Sequence, residues 1–266
     1  MQKCSSKPRS VAILVICGIA APNALLRGAD DGQILDRARQ AYYSLRGKGL
    51  VEFRCEVLPD WEAVFSTLRT DAVGSEVLTL LQRTHFDVSV GADGASTVSR
   101  QTELTPPSQV VAERFRTAAA GLEQMLTGFF VVWAQFMSGF PGPEPGDKDY
   151  KIEKAGDQYR ITQQQGQLHV LVLMTTELVV TEARLTAPNS VEITVHPHFS
   201  KLAERFLLTG WDSTIGTAAG TLETAATTEN QEVEGFELPK TVNITAGGIR
   251  IPLRFNHYRI KKRSQP

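Results

Sequence analysis

Hydrophobic and polar positions along this chain switch repeatedly between helical spacing and strict alternation, until alternation takes over from Tyr150 onward. In "DDGQILDRARQAYYSLRGKG", Ile34, Ala38, Ala41, Tyr42 and Leu45 fall along one side at helical spacing, with Gly47 as a stop. "VEFRCEV" follows with period two. Val51, Phe53, Cys55 and Val57 alternate with Glu52, Arg54 and Glu56, which predicts a strand with one wet and one buried face. Cys55 then points inward as a small hydrophobe. Residues 60–84 read as helix in two pieces broken near Gly74. "HFDVSV", "GADG" and "ASTVSRQTE" make a hairpin with Phe86, Val88 and Val90 on one face. The longest helical pattern runs from Ser108 to Phe140 and stops at "PGPEPGD", which cannot continue a helix.

Beyond Tyr150 nearly everything reads as strand. "YKIEKAGDQYRIT" is a hairpin about "AGD", "QLHVLVLM" is apolar on both faces in its middle, and "ELVVTEARL" and "SVEITVHPH" follow. A short helix, "SKLAERF", is expected before strands near 206–214, 219–228, 232–245 and 249–260. In the last, Ile249, Ile251, Leu253 and Phe255 share a face, and the phase then slips to Tyr258 and Ile260, the mark of a bulge. The expectation is an α+β fold: an unclosed antiparallel sheet of about ten or eleven strands with helices packed on one side.

The anomaly is the second half of the long helix. Positions 111, 115, 118, 122, 125, 129, 133, 136 and 140 form one apolar stripe, enough to pack on a sheet. In "MLTGFFVVWAQFMSGF", however, 11 of 16 residues are apolar and none is charged, because Phe130, Val131, Val132 and Met137 fall off that stripe. Sixteen helical residues measure only about 24 Å, and a bilayer span needs about 20 apolar residues, so a membrane span is excluded. Two roles fit the extra face. It is either buried between the sheet and other helices, or it lines an apolar cavity or partner groove. In the second case Met125, Phe129, Phe130, Val132, Trp133, Phe136 and Met137 are the candidate ligand-binding residues, because Met and aromatic side chains repack around guests of variable shape.

Composition narrows the class further. The chain is 42% hydrophobic and 21% charged with net charge −1, and its one basic cluster is the terminal "KKR" at 261–263. A nucleic-acid binder would show a basic stripe. Residues 1–20 read as a signal peptide: Lys3, Lys7 and Arg9 precede the apolar run "SVAILVICGIAA", with cleavage after Ala20 and one mature domain over 21–266. Cys17 within that run leaves lipid anchoring as an alternative to a soluble exported protein. Cleavage leaves 25 basic against 29 acidic residues and Cys55 as the one cysteine, so no intrachain disulfide can form. The expected location is outside the cytoplasm, periplasmic in a Gram-negative host.

Two segments carry a family resemblance. "ILDRARQAYYSLRGKGLVEFRCEV" near the mature N-terminus and "VEGFELPKTVNITAGGIRIPLRFNHYRI" near the C-terminus resemble the LolA-type fold of periplasmic lipoprotein carriers, outer-membrane receptors and mycobacterial lipid-binding lipoproteins. The helical insert at 60–83 departs from that pattern, where family carriers continue into the second strand, so no functional residue is carried over. The resemblance implies an unclosed half-barrel whose concave face is covered by helices, with an apolar cavity between them that holds lipid or the acyl chains of a protein without chemistry. It implies no cofactor and no enzyme activity. An envelope-associated adaptor with a filled core, meeting a protein partner, is the alternative.

Motifs for chemistry are sparse. There is no G-x-S-x-G, P-loop, H-E-x-x-H or paired C-x-x-C. In "EITVHPH", Glu192, Thr194, His196 and His198 share one strand face, and two histidines at i and i+2 could meet one metal ion beside a carboxylate. The alternation makes that face the exposed one, where a solvated pair is the simpler outcome.

Overall fold

The computed structural model describes residues 29–65, 71–187, 191–217 and 220–263. The expected signal peptide, with Cys4 and Cys17, lies outside the described residues. In chain order the elements are α1 (Ala29–Ala41), β1 (Leu50–Pro59), α2 (Trp61–Phe65), α3 (Ala72–Gln82), β2 (Thr84–Gly91), β3 (Ser96–Thr102) and α4 (Gln109–Met137). Then come β4 (Tyr150–Ala155), β5 (Gln158–Gln165), β6 (Leu168–Thr175), β7 (Val180–Thr186), β8 (Glu192–Leu202), β9 (Arg205–Thr217), β10 (Gly220–Val233), β11 (Phe236–Ala246) and β12 (Ile249–Lys262).

The twelve strands among the described residues join one unclosed antiparallel sheet in the order β3-β2-β1-β12-β11-β10-β9-β8-β7-β6-β5-β4. From β4 to β12 each strand pairs with its chain neighbour, and β1 pairs with β12, so the first and last described strands meet inside the sheet. Twelve strands exceed the ten or eleven expected. β4 and β10 coincide with segments already read as strand, the first arm of "YKIEKAGDQYRIT" and residues 219–228, so the excess lies in the count and not in a missed element.

α4 begins where Ser108 accepts a hydrogen bond from the Val111 amide at 3.3 Å. Its last turn is held from outside the helix. The Leu45 amide donates to the Met137 carbonyl at 2.9 Å, and the Ser44 hydroxyl donates to the Ser138 carbonyl at 2.6 Å. Side chains of α4 reach the sheet through Phe129, which stacks on Trp211 of β9 at 5.2 Å, and Trp133, edge-on to Phe53 of β1 at 5.8 Å. The face of the sheet that carries Phe53, Trp211 and Phe255 is therefore the helix-bearing face. The helices pack chiefly on β2, β3, β9 and β12 of it.

Four local expectations need correction. "SKLAERF" is not a helix: β8 and β9 pair down to Leu202 and Arg205 around a tight turn with Ala203 at φ 51°. Phe199 instead packs edge-on and Phe206 tilted against Tyr42, at 5.2 and 5.3 Å, a tertiary contact that overrides local helical propensity. The break between α2 and α3 falls ahead of Gly74, where Asp71 caps α3 by accepting from the Gly74 amide at 2.6 Å. α1 ends at Ala41 because Tyr42 bridges to Phe206 and the Tyr43 amide donates to the Phe206 carbonyl. In β1, Leu50 is buried and Val51 exposed, since the register with β12 shifts between Leu50 and Glu52.

The anticipated bulge in β12 is present. Arg54 faces Arg259 while Glu56 faces Asn256, and His257 takes φ 54° to absorb the extra residue. In β6 only the helix-bearing face is fully buried, at Val172 and Met174; Leu171 and Leu173 on the other face are half-buried. Among the described residues, no helix is long and apolar enough to cross a membrane.

Candidate functional site

Of the seven residues singled out on α4, five are core residues in this structure. Phe130, Trp133 and Met137 are 0% exposed, and Phe129 and Phe136 are buried. Their rings interlock: Phe130 meets Phe129, Trp133 and Phe255 at 5.1, 6.1 and 6.1 Å, and Phe136 meets Phe199 at 6.0 Å. Burying such side chains contributes about 1.5–3 kcal/mol each before entropy is subtracted. Met125 and Val132 keep some accessible surface. The extra apolar face seen in sequence thus divides, with Phe130 and Met137 turned inward and Val131 left 53% exposed. One polar atom in this packing lacks a partner: the indole Nε1 of Trp133 is buried without an acceptor.

The helix-bearing face of the sheet continues past the helices. Val172 of β6 pairs with Ala183 of β7, Ala183 with Val195 of β8, and Val195 with Ser213 of β9; Val172, Val195 and Ser213 are buried. Two residues along each strand lies a parallel row on the same face. It runs Val170, Leu185, Ile193, Ile215 and Leu222, each directly opposite the next. The first four are only partly buried, and Leu222 is 46% exposed. Five strands side by side give this apolar row a length of about 19 Å. Gln163 and Tyr150 extend it to the sheet edge at β4.

Two surface concavities flank the sheet, and none of the seven α4 residues lines either. One, of about 550 Å³, lies at the β4–β8 end of the sheet, and Thr162, Leu171 and Arg184 of its lining stand on the face opposite the row. The other, of about 570 Å³, lies at the rim of β1 and β2 beside Arg46, Val51 and Asp93.

His196 and His198 are both exposed on the opposite sheet face, as the alternation predicts. His198 Nε2 lies 3.0 Å from Asp212 Oδ2, and a ring nitrogen of His196 lies 3.3 Å from the Thr181 carbonyl oxygen. Among the described residues, no three His, Cys, Asp or Glu side chains converge as a metal site. Cys55 is buried as a free thiol, and desolvation pushes its pKa up, which makes it inert at neutral pH.

Two tyrosines at the end of α1 carry structural roles that sequence periodicity hides. The buried Tyr42 hydroxyl accepts from the Val180 amide at 2.7 Å and donates to the Leu178 carbonyl at 2.9 Å. The Tyr43 hydroxyl accepts from the Glu237 amide at 2.7 Å. The pair ties α1 to the β6–β7 and β10–β11 hairpins. The row on β6–β10 is equally hidden, since each member looks ordinary within its own strand; only cross-strand register assembles them.

No protein-family model matches this chain, and no curated protein matches it.

Proposed function

We propose that this chain is a non-enzymatic binder or carrier of a hydrophobic ligand, a lipid or the acyl chain of a protein, that works outside the cytoplasm in the manner of LolA-type carriers. In this proposal the open sheet curls as a half-barrel, α1–α4 cover part of its concave side, and the uncovered part receives the guest. The observation that carries it is the row Val170–Leu185–Ile193–Ile215–Leu222. It is a line of aliphatic side chains on the core-forming face that the helices leave partly open. Aliphatic walls without directional polar groups suit a chain of methylenes, whose binding is proportional to apolar area removed from water. The α4 residues named from sequence then act as the packed backing of the site, with Met125 and Val132 as the two that retain surface for a guest.

Lipid mass spectrometry of the natively extracted protein tests this. Co-purifying lipid or acylated protein is expected, lost when Ile215→Asp and Leu222→Asp place charge on the row. Protein that emerges free of lipid, and that takes up no acyl chain in vitro, defeats the proposal.

The complete burial of Phe130, Trp133 and Met137 favours a second function, an envelope-associated adaptor with a filled core. Recovery of a stoichiometric protein and no lipid from detergent-solubilised envelope is its expected signature.

A further inference from the structure

The apolar row lies on the helix-bearing face; the other face of the sheet carries a charge pattern that the hydrophobic site does not use. On β12, Ile251, Leu253 and Phe255 fill the core side, and Arg250 and Arg254 alternate with them to point away from the helices. Strict alternation would then turn Arg259 and Lys261 into the core. The extra residue of the bulge at His257 resets the phase, so that Arg259 stands opposite Arg54 and Lys261 opposite Glu52, on the same outer face as Arg254. Arg250, Arg254, Arg259 and Lys261 are exposed. They form a cationic line about 35 Å long in a chain whose net charge is −1.

The nearby acids do not neutralise this line. Glu52 is held by Arg54 and by the Ser89 hydroxyl, each at 2.7 Å, and Glu56 lies 2.9 Å from His257 Nδ1. Arg254 and Arg259 have no ion-pair partner among the described residues. Arg259 also faces Arg54 directly, and like charges in that position destabilise a sheet. An anion set between them would relieve the repulsion.

The borders of the line narrow the choice of anion. It is one strand wide, with Glu52 and Glu56 of β1 along one side, so a flat anionic bilayer would press on carboxylates as well. No Phe, Tyr or Trp stands on this face of β1, β11 or β12 to enter lipid or stack on a base. Both backbone edges of β12 are taken by β1 and β11, so a peptide cannot add as a strand. Along the β11 side run Thr241, Asn243 and Thr245, a row of hydroxyl and amide groups on the same face. Guanidinium groups recognise carboxylates and sulfates through paired N–H donors, and the β11 row suits sugar hydroxyls.

We infer that the outer face of β12 binds an acidic polysaccharide, with acid groups on Arg254, Arg259 and Lys261 and hydroxyls on Thr241, Asn243 and Thr245. This surface is separate from the hydrophobic site and does not depend on the carrier function.

Calorimetric titration of the full chain with oligo-uronate, dextran of equal length, polyglutamate and phosphatidylglycerol vesicles tests it. Oligo-uronate is expected to bind, more weakly as salt rises, and dextran to bind not at all. Arg254→Gln/Arg259→Gln should lower the oligo-uronate affinity roughly tenfold. Arg160→Gln, which removes an exposed cation from the same face at β5, should leave it unchanged. The urea midpoint of the double variant should hold or rise, since the Arg54–Arg259 opposition is gone. An affinity unchanged in the double variant, or lowered equally by Arg160→Gln, overturns the inference. Polyglutamate or vesicles that bind as tightly and depend equally on Arg254 and Arg259 overturn the polysaccharide, and make the face one for acidic proteins or for membrane. Binding of none of the probes overturns the surface altogether.

Discussion

The Tyr42 hydroxyl gives the sharpest test of how this fold is held together. Tyr42→Phe removes one oxygen and keeps the ring, so the contacts with Phe140, Phe199 and Phe206 at 5.6, 5.2 and 5.3 Å persist. What disappears is the acceptor of the Val180 amide and the donor to the Leu178 carbonyl. Val180 is 0% exposed and Leu178 is also buried, at φ 69° in a left-handed turn. Water cannot readily replace the lost oxygen, and a buried backbone group left unpaired costs about 1–3 kcal/mol. Two such groups place the expected loss at about 2–6 kcal/mol, a large share of the 5–15 kcal/mol of an ordinary domain. Urea unfolding followed by far-UV circular dichroism reads it as a midpoint lowered by about 1 M or more. Amide exchange at Val180 should accelerate more than exchange elsewhere in β7. A midpoint unmoved within error, with Val180 still protected, would refute the claim that this hydroxyl ties α1 to the β6–β7 hairpin.

Alkaline pH probes the neighbouring tie. Burial pushes the Tyr43 phenol up to about 12 from the ordinary value of 10.0. Its folded pKa exceeds the unfolded one, so its contribution is intact below pH 10 and is lost as pH rises through about 12; Tyr43→Phe should flatten that decline in a pH series of urea midpoints. Phe130→Ala should cost about 3–5 kcal/mol, whereas Trp133→Phe, which also removes an unpartnered buried N–H, should cost clearly less; a reversed order in thermal unfolding contradicts the packing described. Ser108→Ala removes the cap of α4 and should cost about 0.5–2 kcal/mol, measured by the same unfolding assay; no loss means the cap is idle.

The sheet is largely legible in the sequence because alternation leaves a one-dimensional trace wherever one face is wet. Phe86, Val88 and Val90, or Ile251, Leu253 and Phe255, declare their face without reference to any partner, and even the β12 bulge shows as a slip of phase before Tyr258. Pairing order is weaker in sequence, and local helix-like spacing can mislead. Leu202 and Phe206 sit four apart as helix neighbours would, yet the chain turns at Ala203 because Phe206 gains more by packing on Tyr42. The polarity of Tyr42 is invisible for a related reason. A tyrosine on an apolar helical stripe looks like ring burial alone, and its hydroxyl's partners lie 136 and 138 residues away.

The same distinction governs the candidate site. Excess grease on α4 is a property of one segment, so the amino-acid order alone displays it. Close packing commits most of it to the core: Phe130 and Trp133 meet aromatic neighbours rather than a hollow. The row from Val170 to Leu222 is a property of five strands at once. Val170 in "QLHVLVLM" and Leu222 in "GTLETAATT" have no sequence relation, and only two-residue register arithmetic through β7, β8 and β9 sets them in line. Surface that must stay open for a guest is better built this way. Each strand contributes a single aliphatic side chain to the row, and the apolar strip comes into being only when the sheet has formed.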